Sequence, residues 1–324
     1  MNNNYQELIK AIEPTRLLQK EILSKYSSFR LGGPADLFFR ARTQNELIRV
    51  VQLANKFSIP VFILGGGTNL LISDKGFRGL VIKNETNSIK LIGLRGKVSK
   101  VKKAFLEIES GVGVNRLVRF SLDQGLSGLE AFLGQPGTVG GAVYINAHNI
   151  RESKFFGDYV MGAKLATLSG EVKKVDRNYF KFGYDSSVLQ KTKEVLLSVV
   201  LQLEVGYKEL LWQDAQETME YRQKTQPQGF FSSGCIFRNI EKSKAMSIPT
   251  PQYILSAGFL IDNVGLKGKK VGNAWFSAEH ANFIVHKGNT NSASVLELIN
   301  LAKKKVKEKY GINLHKEIVL VGDF

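Results

Sequence analysis

Apolar side chains recur along the chain at two spacings, one typical of helices and one typical of strands. Helical spacing marks residues 43–56, 115–124, 207–222 and 294–309. Apolar runs rich in β-branched residues mark strands at residues 59–64, 79–83, 195–205 and 317–322. The first and last helices each open on a capping box, Thr43 with Glu46 and Ser294 with Glu297, and Gly311 is a natural stop for the last one. Helices mixed with strands in this way predict an α+β (mixed α/β) fold.

Residues 61–74 combine an apolar strand, three consecutive glycines, Thr-Asn and a second strand-like run. Glycines at 65–67 have no Cβ, so the backbone can take positive φ angles and a ligand can approach it closely. Successive N–H groups in such a turn can form an anion-binding nest, to which Thr68 and Asn69 add side-chain donors. The segment therefore favours a cradle for phosphate, with a plain glycine hairpin as the alternative.

Two familiar phosphate-binding motifs do not fit these residues. A P-loop ends in Gly-Lys-Ser/Thr, whereas Leu70 and Leu71 occupy those positions here. A dinucleotide-binding fingerprint requires a third glycine and the start of a helix, whereas strand-like residues follow in this chain.

A second glycine-rich segment lies at residues 125–142, with small and apolar residues between its glycines. Pro136 and Gly137 suit a turn, and Gly140 and Gly141 again offer bare backbone to a ligand. Two such segments, each bounded by an apolar stretch, are less common than one. Together they favour a bound phosphate-containing ligand over an isolated hairpin.

The composition is that of a globular enzyme with more than one domain. The 324 residues exceed what one hydrophobic core usually supports, and the apolar and charged contents of 43% and 23% are near globular averages. The amino terminus has no apolar signal segment and no apolar run reaches membrane-spanning length, so we expect a cytoplasmic protein without membrane contact. The single cysteine, Cys235, excludes an intramolecular disulfide and fits a reducing compartment.

The charge balance is strongly basic, with 45 Lys and Arg against 29 Asp and Glu and a net charge of +16. Such a balance can indicate nucleic-acid binding, but the lysines are scattered, and a basic surface also steers anionic nucleotides toward a site. We therefore expect no nucleic-acid partner. The four histidines have no metal-ligand spacing with cysteine or acidic residues, so we expect no metal.

Six segments carry a wider pattern: SSFRLGGPADLFF (27–39), ILGGGTNLLISDKGFRGLVI (63–82), GLSGLEAFLGQPGTVGGAVYINA (125–147), SSGCIFRN (232–239), AGFLIDNVGLKGKKVG (257–272) and SAEHANFIV (277–285). In this order they resemble the UDP-N-acetylenolpyruvoylglucosamine reductase family, flavin enzymes that complete UDP-N-acetylmuramate in bacterial peptidoglycan synthesis. The resemblance covers nearly all of the chain beyond about residue 18. The glycine segments are shared with FAD proteins of the vanillyl-alcohol-oxidase type, whereas GCIFRN and HANFIV are more specific to the reductases.

The resemblance implies an FAD-binding region of the PCMH or vanillyl-alcohol-oxidase type, with two subdomains, over residues 1–206. It also implies a substrate-binding domain over residues 207–324, whose last strand returns to the active site. FAD and NADPH are the implied cofactors, a UDP-sugar is the small-molecule substrate, and a monomer is the expected state. The tyrosine-loop insertion of one branch is absent, so the chain resembles the shorter branch. The implied FAD-binding residues are Leu64, Gly65, Gly66, Gly67, Thr68, Asn69, Leu70, Gly111, Pro136, Gly137, Thr138, Gly140 and Gly141.

In such enzymes NADPH reduces the flavin, which then gives hydride to the terminal carbon of the enolpyruvyl ether. The resemblance places the proton donor in SSGCIFRN, where most members carry serine after the glycine and this chain has Cys235. A thiol with a pKa near ~8.5 is mainly protonated at neutral pH and is a stronger acid than an alcohol. A buried structural cysteine is the alternative. Glu317 matches the family's C-terminal active-site glutamate. The expected substrate-binding residues are Tyr184, Lys224, Arg238 and Asn239.

Two segments depart from the family pattern. The family carries an arginine just after FGY, where this chain has Asp185, which reverses the charge beside a substrate carboxylate. Either Asp185 turns away and a cation substitutes (Lys181, Lys224 or Arg238, the last two being the first choices), or the alignment is shifted locally. The family's Asn-Ala-Gly-Ala-Tyr-Gly is replaced by Asn-Ala-His-Asn-Ile-Arg. His148 could reach flavin or substrate, although a surface histidine is the simpler interpretation.

Two other classes of function stay open. Another FAD oxidoreductase of the vanillyl-alcohol-oxidase type would share the glycine segments but would not account for GCIFRN and HANFIV. A catalytically silent flavin binder is favoured by Asp185 alone. In SAEHANF, we expect His280 and Asn282 to brace the substrate domain rather than to act as acid or base.

Overall fold

The computed structural model describes residues 3–12, 16–97, 100–248, 250 and 254–324. Its helices are α1 (Asn3–Ala11), α2 (Gln44–Lys56), α3 (Val114–Asp123), α4 (Val139–Ile145), α5 (Leu189–Thr192), α6 (Lys208–Thr225), α7 (Lys242–Ala245), α8 (Ala257–Asn263) and α9 (Ser292–Tyr310). Its strands are β1 (Leu17–Ile22), β2 (Pro34–Ala41), β3 (Val61–Leu64), β4 (Leu70–Ile72), β5 (Phe77–Asn84), β6 (Ile89–Lys97), β7 (Lys100–Glu109), β8 (Leu126–Ser127), β9 (His148–Asn149), β10 (Lys154–Phe155), β11 (Val160–Ala166), β12 (Val172–Asp176), β13 (Val195–Val205), β14 (Lys270–Val271), β15 (Ala274–Phe276), β16 (Ile284–His286) and β17 (Val319–Val321). This mixture confirms the predicted α+β fold.

The strands form sheets with the orders β1-β2-β5-β3, β12-β11-β13-β7-β6 and β14-β15-β16, while β17 pairs with β4 and β10 with β9. In the large sheet, β13 runs antiparallel to both β11 and β7. β3 and β5 are parallel, with Leu64 opposite Lys83. Because Leu64 ends β3, the first glycine segment begins where that parallel pair ends.

The chain divides into two compact units. Unit 1 comprises Met1–Gln19, Leu37–Gly66 and Gly79–Arg222, and unit 2 comprises Lys20–Asp36, Gly67–Arg78 and Gln223–Phe324. The functional division expected between residues 206 and 207 stays a prediction. The compact units differ from it, because they assign α6 up to Arg222 to unit 1 and two earlier segments to unit 2.

Each unit has its own buried apolar core. In unit 1, α3 packs against the large sheet through Leu117, Val118 and Leu122, and α2 contributes Leu47, Val50, Val51 and Ala54 to a second cluster. In unit 2, α9 buries Val295, Leu298, Ile299, Ala302 and Val306. These are the apolar faces that helical spacing predicted. Burying them removes roughly 25 cal/mol of unfavourable hydration per Å².

Side-chain caps set where α2 and α9 begin. The Thr43 side chain accepts a hydrogen bond from the N–H of Glu46 at 3.2 Å, which confirms the start of α2. The predicted capping residue of α9, Ser294, is wrong: the side-chain oxygen of Asn291 accepts from the N–H of Ser294 at 2.8 Å and caps the helix earlier. Gly311, at φ +70°, ends α9 as predicted.

Candidate functional site

The two glycine segments meet within unit 1. Leu64 ends β3 fully buried, and two glycines follow it. A Cβ on Gly65 would lie 2.6 Å from Oγ1 of Thr138, and a Cβ on Gly66 would lie 2.7 Å from Cα of Gly137. Side-chain atoms do not approach other atoms so closely, so only glycine at these positions lets the segments pack together.

A third segment holds the second glycine segment in place. The N–H of Gly140 donates to the carbonyl of Ser110 at 2.7 Å. Gly111, one of the expected FAD-binding residues, lies so near Thr86 that a Cβ would be 2.4 Å from the carbonyl oxygen of that residue. Packing therefore explains glycine at 111, and contact between Gly111 and FAD stays a prediction.

The amide groups of the two glycine segments differ in how far the protein already uses them. In the second segment, the N–H groups of residues 139–141 donate to Val112, Ser110 and Thr138. In the first segment, no acceptor among the described residues receives the N–H groups of residues 65–68. An anion-binding nest consists of backbone N–H groups that have no acceptor within the protein, and such groups often lie beside glycines. The donors open to a phosphate therefore belong mainly to the first segment.

Lys83, which the sequence analysis did not single out, braces the first glycine segment. Its ammonium group donates to the carbonyl oxygen of Gly65. Burial lowers the pKa of Lys83, and the charge of Glu85 acts in the opposite direction. In sequence, Lys83 looks like an ordinary lysine at the end of a strand, so the only signal for its role is the parallel pairing of β3 with β5.

In unit 2, the chain runs from Gly67 into β4. Gly67 has φ +66°, and a Cβ there would lie 1.9 Å from the carbonyl oxygen of Tyr26. The N–H of Ser28 donates to the Gly67 carbonyl at 2.9 Å. The side-chain amide of Asn69 donates to the carbonyl of Glu317 at 3.1 Å. Asn69, which the sequence suggested as a donor to phosphate, therefore uses its amide nitrogen to hold Glu317.

The last strand, β17, returns to this part of unit 2. It pairs in parallel with β4, and the N–H of Val319 donates to the carbonyl of Asn69 at 3.0 Å. Just before this strand, the N–H of Glu317 donates to the carbonyl of Ile236 at 2.9 Å. The backbone of Glu317 therefore lies beside the segment that carries Cys235.

Cys235 carries a half-buried thiol on a tightly held segment. Gly234, at φ +80°, turns the chain just before it. The buried side chain of Asn282 accepts from the N–H of Phe237 at 3.0 Å and donates to its carbonyl at 2.7 Å. The Nδ1 atom of His280 in turn accepts from the N–H of Asn282 at 3.2 Å. Asn282 and His280 therefore brace this segment, and the expectation that they do not act as acid or base stays a prediction.

The expected substrate-binding residues are distributed over both units. Tyr184 belongs to unit 1, and the other three belong to unit 2. Lys224 is exposed in the last turn of α6, and Arg238 is half-buried. The side-chain oxygen of Asn239 accepts from the N–H of Ala257 at the start of α8, at 3.2 Å. Contact with substrate stays a prediction for each of these residues.

The two departures from the family pattern lie together in unit 1. Nδ1 of His148 is 3.3 Å from Oδ1 of Asp185, and Asp185 is 2% exposed. The rings of Tyr184 and Phe155 lie 4.8 Å and 5.7 Å from the His148 ring. Because these rings cover the imidazole, only 12% of the His148 side chain is exposed, and the expectation of a surface histidine is wrong. We call these two residues the His148–Asp185 pair.

No cluster of three or more His, Cys, Asp or Glu side chains able to hold a metal occurs in the part of the chain that the structure describes. Among the same residues, no helix combines the length and apolar character needed to cross a membrane.

Comparison with protein families first defines the class. Residues 35–176 match an FAD-binding domain, which contains both glycine segments, so the chain is an FAD-binding protein. Residues 226–321 match the C-terminal domain of UDP-N-acetylenolpyruvoylglucosamine reductase, which contains Cys235 and Glu317.

Curated relatives match along the whole chain. The UDP-N-acetylenolpyruvoylglucosamine reductase of Bacillus subtilis is 34% identical over 323 residues, covering 99% of each protein. That of Lachnoclostridium phytofermentans is 33% identical over 328 residues, covering 100% of this chain and 99% of the relative. The crystal structure of the Thermus caldophilus reductase superimposes with a TM-score of 0.74 at 30% identity, covering 94% of this chain and 98% of the other. The chain belongs to the UDP-N-acetylenolpyruvoylglucosamine reductase family.

Proposed function

We propose that this chain reduces the enolpyruvyl ether of UDP-N-acetylglucosamine enolpyruvate to UDP-N-acetylmuramate, with NADPH as the reductant, as a step of peptidoglycan synthesis. The observation that carries the proposal is the match, from one end of the chain to the other, to reductases of that name. The glycine segments and the Cys235 segment supply the parts that this chemistry requires.

The residues of the glycine segments fit FAD. The N–H groups of residues 65–68 have no acceptor among the described residues, and three of these four residues are glycines, which place no side chain beside them. The carbonyl of Gly65, held by Lys83, fixes the direction of this turn. Bound FAD supplies the hydride chemistry, because it can accept a hydride from NADPH and pass it to a carbon atom.

The protein must supply a proton to the substrate. Hydride addition to the terminal carbon of the enolpyruvyl group leaves an electron pair on the carbon next to the carboxylate. We assign the donor to the thiol of Cys235, which becomes a thiolate when its proton moves to that carbon and is reprotonated from water. With a pKa near ~8.5, a thiol is protonated at neutral pH yet acidic enough to donate.

Glu317 is the second catalytic residue of the proposal. Its backbone is fixed on two sides, by the Asn69 side chain and by the carbonyl of Ile236, so its position beside the Cys235 segment is well defined. Fixed supporting contacts of this kind are what keep a reacting group in a productive geometry.

The UDP-sugar is anionic at its diphosphate and at its carboxylate. Lys224 and Arg238 offer positive charge to these groups, and Tyr184 and Asn239 offer hydrogen-bonding side chains. In this proposal, residues 1–206 hold FAD and residues 207–324 hold the sugar nucleotide. A cytoplasmic location and a monomeric state remain predictions.

Two linked absorption measurements test the function. The purified protein should show the visible bands of oxidised flavin, and NADPH added without oxygen should bleach them. UDP-N-acetylglucosamine enolpyruvate should then restore the bands, whereas UDP-N-acetylglucosamine should not. Recovery only on admission of oxygen would instead favour an oxidase of the vanillyl-alcohol-oxidase type. A flavin that NADPH leaves oxidised would favour a silent flavin binder.

A further inference from the structure

The segments that carry the His148–Asp185 pair are cross-linked. The side chain of Asn146 donates to the carbonyl of Gly183 at 2.9 Å. The side chain of Gln190 donates both to the carbonyl of Asp185, at 3.0 Å, and to the carbonyl of Tyr144, at 3.1 Å. These bonds fix the two backbones relative to each other, so the pair is held in place by more than its own contact.

Asp185 also has an uncommon backbone conformation. Its φ is +50°, in the left-handed region that residues with a side chain seldom adopt. Asn146, which bonds to the same loop, has φ +51°. Residues held in this region persist only where the surroundings impose the conformation, and they cluster at functional sites. Here the imposed conformation keeps a carboxylate buried against an imidazole.

The pair leaves one edge of the imidazole available. Both carboxylate oxygens of Asp185 and Nδ1 of His148 are shielded from solvent. The 12% of the His148 side chain that stays accessible therefore belongs to the rest of the ring. A second charged group can therefore approach the imidazole only at this accessible part of the ring.

We propose that His148 binds the carboxylate of the enolpyruvyl group and that Asp185 is the positioning residue that orients its imidazole. This inference rests on the proposed function. In the family pattern, one arginine after the tyrosine carries the positive charge beside the substrate carboxylate. In this chain an aspartate stands at that place, and a histidine from the neighbouring segment, where the family has glycine, carries the charge instead.

Binding of a carboxylate requires the His148 imidazole to be protonated. A protonated imidazole carries a positive charge, which lies 3.3 Å from the Asp185 carboxylate at Nδ1 and attracts a substrate carboxylate at the accessible edge of the ring. Burial lowers the pKa of His148, and a hydrogen bond with the backbone of Asn146 acts in the opposite direction. The aromatic rings of Tyr184 and Phe155 also lie against the imidazole. A bound carboxylate adds to Asp185 in favouring the protonated ring.

The test compares two ligands on the FAD-loaded enzyme by titration calorimetry, which needs no turnover. UDP-N-acetylglucosamine enolpyruvate has the carboxylate, and UDP-N-acetylglucosamine lacks it. His148→Gln should weaken binding of the first by about 10- to 100-fold and of the second by less than about threefold, because a hydrogen bond to a charged group is lost only for the first. Asp185→Asn should give a smaller loss with the same selectivity.

A double variant and a control keep the test independent of folding. His148→Gly combined with Asp185→Arg restores the family pattern and should recover affinity for the enolpyruvate relative to either single change. Glu107→Gln removes a carboxylate from a different ion pair of unit 1, with Lys164, and should leave both affinities unchanged.

The results distinguish a failure of the role of His148 from a failure of the proposed function. Equal loss for both ligands in His148→Gln, or no loss for the enolpyruvate, would overturn the role of His148 while leaving the function intact. A native enzyme that binds neither nucleotide sugar would contradict the proposed function, and the role of His148 with it.

Discussion

Gly65, Gly66 and Gly137 lie in unit 1 with the His148–Asp185 pair, yet these glycines and the pair relate to the family pattern in opposite ways. At Gly65, Gly66 and Gly137 the pattern is kept, because an added Cβ would meet other atoms of the protein at about 2.6–2.7 Å for the first two. At 148 and 185 both residues differ, and the two differing side chains face each other at 3.3 Å. Close packing of this kind requires glycine, whereas positions 148 and 185 accept different side chains.

Gly67→Ala is the most severe test of whether close packing requires glycine in these segments. The new Cβ would overlap the carbonyl of Tyr26 and would also force a side chain into positive φ. We expect a loss of about 4 kcal/mol or more in the free energy of unfolding, measured by urea titration. Gly265→Ala is the matched control, because Gly265 has φ +73° with nothing near its Cβ position. It should cost only about 1–2 kcal/mol, and equal losses would contradict the steric explanation.

Substitutions of Cys235 test whether a different side chain can carry the function at a position that departs from the family pattern. Cys235 is the third such departure. Cys235→Ala should leave reduction of the flavin by NADPH nearly unchanged and slow its reoxidation by substrate about 10²-fold or more, since the proton donor is gone. Cys235→Ser should keep much of the activity. Single-turnover absorption measurements separate the two half-reactions. An alanine variant with unchanged reoxidation would return Cys235 to a structural role.

Gly141→Ala separates the packing of the second glycine segment from its contact with cofactor. A Cβ at Gly141 is 3.6 Å from its nearest neighbour, an ordinary contact, whereas at Gly140 it would be 3.0 Å from the carbonyl of Ser110. Gly141→Ala should therefore keep or raise the melting temperature of the FAD-free protein, since alanine favours helix. If FAD lies against this residue, its affinity should fall about tenfold, or ~1.4 kcal/mol. Unchanged affinity would remove Gly141 from the cofactor site.

Buried histidines of unit 2 give the smallest expected effect, a loss of stability in acid. Burial lowers the pKa of His280 and of His286, whose Nε2 lies 2.6 Å from the carbonyl oxygen of Phe29. The unfolded chain then binds more protons below its ordinary histidine pKa of 6.5, so stability is complete above that pH and falls as the pH drops through it. Each unit of pKa difference is worth about 1.4 kcal/mol. His286→Gln should flatten the dependence of the unfolding free energy on pH, and an unaltered slope would contradict it.

The sequence predicted the elements that periodicity and capping determine. α2 and α3 appear within a residue or two of their expected bounds, and β13 matches its predicted range. The family resemblance also located the glycine segments and Cys235. Local pattern failed where a competing group was close in sequence: the side chain of Asn291 accepts from the N–H of Ser294, so α9 is capped three residues before the predicted position.

Contacts distant in sequence could not be predicted from the pattern. Nothing in GLVIK shows that Lys83 holds the carbonyl of Gly65, because that contact depends on how β3 and β5 pair. Similarly, the side chain of Asn69 is committed to Glu317, which lies 248 residues away in the chain. The sequence favoured a lysine or an arginine as the partner of Asp185, because nothing in the residue pattern shows that His148 lies next to it.

Analysis of the product is the most direct test of whether this chain is a reductase of an enolpyruvyl sugar nucleotide. Purified enzyme with bound FAD should be incubated without oxygen with NADPH and UDP-N-acetylglucosamine enolpyruvate, and the sugar nucleotide analysed by mass spectrometry and NMR. We expect UDP-N-acetylmuramate, with one hydride and one proton added and one NADPH consumed for each molecule formed. Consumption of NADPH only when oxygen is present, with the enolpyruvyl group unchanged, would contradict it.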